Sequence, residues 1–207
     1  MDSKNKLLSI EMTYNEKIHE VIRNTIKMLI ERKNLNNNIK FDDIYKYAIK
    51  NYDINNDIIK FTLDNINYII KIINRAITGK KMEDVYQFIS TYKNEYKFLI
   101  VESITQKNLV TLNDLFNLEI FTINELLINI IDHELVPKHR LLTDTEKESL
   151  FNEYDIKNKD MARILVSDPI ARYYRAKIGD IMEIERKTPN SGISLFYRTV
   201  VPGQMIK

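Results

Sequence analysis

The chain has 207 residues, 44% of them hydrophobic and 29% charged, which places it with folded globular proteins rather than disordered chains or membrane bundles. It has no cysteine and three histidines, so disulfides, thiolate zinc sites and Cys nucleophiles are excluded and a metalloenzyme is disfavoured. Its 31 basic and 29 acidic side chains nearly cancel, so no whole-molecule field draws it to nucleic acid and any such contact must be local. No apolar run reaches the roughly 18 residues of a spanning helix, and the stretch from Met1 to Leu8 lacks a signal-peptide pattern. Neither membrane attachment nor export is expected.

Ile18, Val21, Ile22, Ile26, Leu29 and Ile30 recur at helical spacing and define a first helix. Phe41, Ile44, Tyr45, Ala48, Ile49 and Tyr52 define a second, with Asp42 and Asp43 at the positive end of its dipole. From Ile58 to Ile73 the apolar residues are too dense for period alone to separate helix from strand. β-Branched content and the Asp64-Asn65 pair favour a hairpin. Helices are then expected over 82–92 and 109–116, and strands over 97–101 and 118–123. This alternation makes the first part α/β with a mixed sheet.

All four prolines (137, 169, 189, 202) and three of the four glycines (179, 192, 203) lie beyond residue 136, which suggests two directly joined domains, 1–132 and 133–207. In the second, Thr143 followed by Glu146 forms a capping box opening a helix to about Tyr154. Asp168-Pro169 starts another helix running to Tyr174. After Gly179 the chain reads as strand, with Met182 and Ile184 on one face and Glu183 and Glu185 on the other. Pro189 to Gly192 supplies the reversal into a strand over 193–200. The expected class is α+β overall, the small C-terminal α+β domain ending in a β-hairpin.

Several groupings invite a chemical reading. His133 and His139 stand six residues apart, but Pro137 interrupts the strand that would align their rings, and hydrogen-bonded structural histidines explain them better than a metal site. Asp168, Glu185 and Lys187 imitate the carboxylate pair and lysine of a metal-dependent nuclease, although Asp168 is better placed as a helix cap. Arg172, Arg175, Lys177, Arg186 and Lys187 form either a basic patch or a solvated surface interleaved with acids. The stripe Tyr45, Tyr47, Tyr52 reads as packing rather than a base-stacking platform.

The run His133-Glu134-Leu135-Val136-Pro137-Lys138-His139 resembles the fifth-largest common subunit of eukaryotic RNA polymerases and the short archaeal counterpart of that subunit. Three further segments follow in that family's order: 143–147, 163–173, and Gly179-Asp180 leading to Ile184-Glu185-Arg186-Lys187. The resemblance covers about 133–207, the family's assembly domain. The first 132 residues resemble the eukaryotic jaw domain in length and order of elements. Ile104 to Leu109 stands where the family has a Thr-Pro-Ser-Ala-Met loop near downstream DNA, with only Ile104 and Thr105 retained. Arg175-Ala176-Lys177-Ile178-Gly179 and the hairpin tip also depart from the family pattern. This divergence, with abundant Ile, Asn and Lys from AT-rich codons, points to a large DNA virus.

The resemblance implies a noncatalytic subunit of a multisubunit DNA-dependent RNA polymerase, without cofactor or metal of its own. Its assembly domain would dock on the largest subunit and neighbouring common subunits, with His133, Pro137, Lys138, His139, Asp168, Pro169, Arg172, Tyr173 and Gly179 at or near the docking surface. The jaw would help hold downstream duplex DNA, with Lys107 the candidate phosphate contact. The implied location is the virion and viral factory for a viral protein, or the nucleus for a cellular one. A free-standing DNA-binding or protein-interaction module and the nuclease are the alternatives.

Overall fold

The structure, a computed structural model, describes residues 12–33, 41–53, 55–77, 82–113, 115–156, 160–188 and 192–203. The chain divides into two compact units, 1–128 and 129–207. The division precedes the point where Gly and Pro begin to accumulate because Ile130 and Ile131 pack against the core of the second unit. The segments 1–8 and 189–191, which carried the signal-peptide and hairpin-turn readings, lie outside the described residues.

The first unit opens with α1 (Tyr14–Arg32), whose Thr13 hydroxyl and Glu16 carboxylate form a capping box. α2 (Phe41–Lys50) follows. β1 (Ile58–Leu63) and β2 (Ile66–Ile77) form the expected hairpin. Asp64 and Asn65 both have left-handed φ, 50° and 60°, as the type I′ two-residue hairpin loop requires. Then come α3 (Met82–Thr91), β3 (Tyr96–Ile104), α4 (Gln106–Asn113), β4 (Leu118–Thr122) and α5 (Ile123–Leu127). The sheet order is β1-β2-β3-β4, with β1 antiparallel to β2 and the other pairs parallel.

Alternation along the strands sorts the core of this unit into two layers. Leu99, Val101, Leu118 and Ile120 face α3 and α4, meeting Met82, Val85 and Leu112. Tyr68, Phe98 and Phe121 face the other way. Here Arg32 of α1 reaches Glu119 through two bonds of 2.8 and 2.9 Å. Asn24, buried in α1, donates to the carbonyls of Leu126 and Leu127, satisfying acceptors that the short α5 leaves open.

Two departures from the expected elements have local causes. α4 begins three residues before Leu109 because its first turn, Gln106-Lys107-Asn108, is polar and carries no apolar period. It stops before Phe116, which is 79% exposed, and Asn117, with φ 54°. Helix α5 was not expected, although Thr122 and Glu125 form a capping box at the same spacing as Thr143 and Glu146. Its five residues are too short for a period to show.

In the second unit a 3-10 turn (Ile130–Asp132) leads into β5 (Lys138–Leu141), α6 (Asp144–Tyr154), β6 (Ala162–Leu165), α7 (Pro169–Tyr173), β7 (Ile181–Thr188) and β8 (Gly192–Val201). The sheet order is β5-β7-β8-β6, antiparallel except for β6 against β8. One face carries Met182, Ile164 and Val200 against Ile170 and Ala171 of α7. The other carries Ile181 against Leu142, Leu150 and Met161. Gly179, at φ +91°, makes the turn into β7. Its N–H donates to Val200, and Val200 donates back to Asp180, so the turn is stitched to β8.

Glu183 corrects the polar-face reading of β7. It is buried, and its carboxylate takes two bonds from Arg140 at 2.6 and 3.1 Å. Arg140 also reaches Glu146, which accepts from the Thr143 N–H and hydroxyl. These bonds, the Thr143 N–H first, hold the Glu146 carboxyl down at about 2. Because the folded pKa is depressed, this contribution is complete above the unfolded value near 4.5 and is lost as pH falls from there toward about 2. The cap is solvent-exposed, so a loss of only about 1 kcal/mol is expected. Acid titration of the second unit should show it, and Glu146→Gln should remove that part of the pH dependence; an unchanged profile would contradict the assignment.

Candidate functional site

Two of the segments that carry the family resemblance, 133–139 and 163–173, meet in the second unit, where Val136 packs in the same cluster as Ile170 and Ala171. Val136 N–H closes a turn onto the His133 carbonyl, and the His133 Nδ1 accepts from Leu135 N–H. Pro137 ends the turn, and its carbonyl lies 2.7 Å from the His139 Nδ1. Lys138 and His139 open β5, and pleating sends them to opposite faces. Lys138 is exposed opposite Glu185, while His139 is half-buried opposite Ile184. Burial pushes the His139 imidazole pKa down, with the nearby Arg198 and Arg186 acting in the same direction against Pro137 and Asp168. β5, the start of α7 and the β7–β8 pair therefore meet around this ring.

Asp168 caps α7, its Oδ1 accepting the Ile170 N–H at 2.8 Å, and Pro169 occupies the first turn, where a missing N–H costs nothing. Asp168→Ala is expected to lower the stability of the second unit by about 1 kcal/mol. A thermal melt of the variant checks this, and an unchanged midpoint would rule out the cap's contribution. Arg172 is half-buried on α7. Tyr173 is buried, with its ring edge-on to Tyr174 at 5.2 Å, so it supports the helix from within. Gly179 is exposed at the entry to β7.

The structure separates residues that the nuclease reading needed together. Unbroken pleating of β7 puts Glu185 and Lys187 on the face opposite Met182, whereas Asp168 belongs to α7, which packs on the Met182 face. The same alternation divides the basic patch. Arg186 lies over the Phe196 ring at 4.5 Å, while Lys187 points the other way. Among the described residues, no group of three acidic or histidine side chains is placed to hold a metal ion. The tyrosine stripe is also divided. Tyr45 stacks on Phe41 and meets His19 and Arg23, Tyr52 donates to Asp57 at 2.7 Å, and Tyr47 is exposed.

Exposed apolar residues missing from the sequence-derived site are Leu135, Ile178, Ile193, Leu195 and Phe196. The available signal was the run Ile193-Ser194-Leu195-Phe196, apolar on both faces of β8. In the first unit, Lys107 is exposed on the first turn of α4, and its neighbour Asn108 donates its side-chain amide to the Ile77 carbonyl at 3.3 Å.

Comparison with known proteins identifies the family. The family described as RNA polymerase Rpb5, C-terminal domain, matches residues 128–200. The DNA-directed RNA polymerase subunit 5 of Acanthamoeba polyphaga mimivirus is 30% identical over 97% of this chain and 100% of its own length. The DNA-directed RNA polymerase subunit Rpo5 of Thermococcus kodakarensis is 47% identical over 35% of this chain and 89% of its own length. Subunit 5B of the DNA-directed RNA polymerases IV and V of Arabidopsis thaliana is 41% identical over 41% of this chain and 39% of its own length. Fold and similarity together define a noncatalytic accessory subunit of a multisubunit RNA polymerase. The chain belongs to the family of DNA-directed RNA polymerase subunit 5.

Proposed function

We propose that this chain assembles with other polymerase subunits through its second unit, docking on the largest subunit and neighbouring common subunits, while the first unit acts as a jaw that helps hold downstream duplex DNA. The observation carrying the docking half is that the archaeal relative, itself a polymerase subunit by name, corresponds over nearly its whole length to the C-terminal part of this chain alone. The docking surface is built from the exposed residues around β5 and the start of α7, with Leu135 and Ile178 contributing apolar area. Residues 133–207 form the assembly domain in this reading and 1–132 the jaw. The full-length viral relative favours a viral polymerase, working in the viral factory and packaged in the virion; a cellular copy would work in the nucleus.

The test is to express 129–207 alone. It is expected to unfold cooperatively and to incorporate into a polymerase assembled from the remaining subunits. A fragment trimmed to 133–207 loses Ile130 and Ile131 from its core and should be less stable by about 1–2 kcal/mol. A folded 129–207 fragment that fails to enter the complex would place the docking surface in the first unit.

A further inference from the structure

Strand β8 has partners on both sides for only part of its length. β7 accompanies it from Gly192 to Thr199 without a bulge, whereas β6 reaches only from Arg198 to Val201. Among the described residues, nothing pairs with the β6 side of β8 from Ile193 to Tyr197. Val200 donates its N–H to the Asp180 carbonyl and accepts from the Gly179 N–H, so its backbone groups point toward β7. Val201 accepts from the Val166 N–H on the β6 side. Antiparallel alternation then directs the N–H and carbonyl groups of Ile193, Leu195 and Tyr197 to the unpaired edge, while those of Ser194 and Phe196 bond to β7.

An open edge is usually blunted by a charge, a proline or a bulge. The run from Ile193 to Tyr197 has none of these. Ile193 and Leu195 are 64% and 51% exposed, on the face that also carries Glu185 and Lys187, whose charges offset each other. The opposite face is positive. Arg186 lies over the Phe196 ring and Arg198 follows on the same face of β8. Among the described residues, neither arginine has a carboxylate within ion-pair distance. Against these two cations stands Asp168 at the start of α7, which acts on the neighbouring His139, so the face keeps a net positive charge.

We propose that β8 is completed by strand addition: an extended segment of the polymerase subunit on which the second unit docks pairs along 193–197, with apolar side chains beside Ile193 and Leu195 and acidic ones beside Arg186 and Arg198. The inference rests on the docking reading above. An extended peptide offers both donors and acceptors at the spacing of this edge, whereas a phosphodiester backbone offers acceptors alone. A second copy paired antiparallel would bring the same two arginines to the same face, so charge disfavours it. His139, Ile184 and Phe196 are cross-strand neighbours in β5, β7 and β8, so the positive face runs on into the docking surface around β5.

The test is hydrogen exchange resolved to single amides, in the full chain free and within assembled polymerase. Assembly should slow the Ile193, Leu195 and Tyr197 amides by about tenfold or more, while Ser194 and Phe196, already bonded to β7, change little. In the free chain, a short peptide alternating Glu and Val should slow the same amides and its Lys–Val counterpart should not. Arg186→Glu/Arg198→Glu should reverse that preference. A complex in which the three amides exchange as in the free chain overturns the strand addition and leaves the docking reading intact, whereas a chain that never enters the complex removes both. Equal protection by the two peptides overturns the acidic partner. A free chain that sediments as a dimer with these amides already slow assigns the edge to a second copy and overturns the proposal.

Discussion

Arg32→Met should destabilise the first unit by about 3–5 kcal/mol, the cost typical of removing one partner from a buried ion pair. Arg32 and Glu119 have side chains only 9% and 12% exposed, joined by the two parallel bonds already described. The Tyr96 hydroxyl also donates to Glu119 at 2.5 Å, but one neutral donor does not replace a guanidinium. The variant therefore leaves a carboxylate enclosed between α1 and the sheet without its guanidinium partner. Arg32→Met/Glu119→Leu should recover most of the loss, since a neutral pair of similar volume no longer has a desolvated charge to support. Urea unfolding of the full chain, followed with a probe in the first unit, checks both. A single-variant loss below about 1 kcal/mol, or a double variant no better than the single, would show that solvent reaches the pair.

Lys97→Met should cost about 2–3 kcal/mol. Lys97 is 1% exposed, in the middle of a sheet whose neighbours are Ile69 and Leu118. Burial pushes its ammonium pKa down. The carbonyls of Tyr92 and Glu95, each at 2.9 Å, and of Lys93 at 3.4 Å receive the charge. They belong to the chain leaving α3, where helix carbonyls and the negative end of the dipole favour a cation. Methionine keeps the apolar stem and removes the donors, so the loss measures the unsatisfied carbonyls rather than a cavity. The same bonds fix the backbone from Tyr92 to Glu95, so the variant should also loosen the turn after α3. Hydrogen exchange at 92–96 is expected to rise well before global unfolding; unchanged protection there would mean the loop is held by other contacts.

Short-range patterns in the sequence specify most helices and the first hairpin. The apolar spacing of α1, the Thr143–Glu146 box, the Asp168-Pro169 start and the Asp64-Asn65 turn each act over at most a few turns of chain. Their chemistry is complete before any distant segment arrives. The family resemblance is legible for a related reason, because it rides on contiguous runs such as 133–139 and 163–173. Strands β5 and β6 were not legible. Four residues each cannot display a period, and their place in the sheet comes from pairing with β7 and β8.

Pairing between distant segments decided the rest. Lys97 and Glu183 look like surface residues on their own strands, and become buried only when α3's trailing carbonyls and Arg140 are brought to them. Asp168, Glu185 and Lys187 share a plausible spacing for catalysis, yet β7's pleat and the placement of α7 put a sheet between them. The lysines beside the Tyr92 and Phe88 rings come from β1 and β2, and the rings come from α3 and the turn after it. Side-chain type is written residue by residue, but the dielectric around a charge and the identity of its partner depend on which remote element covers it, and for these residues only the tertiary structure supplies that cover.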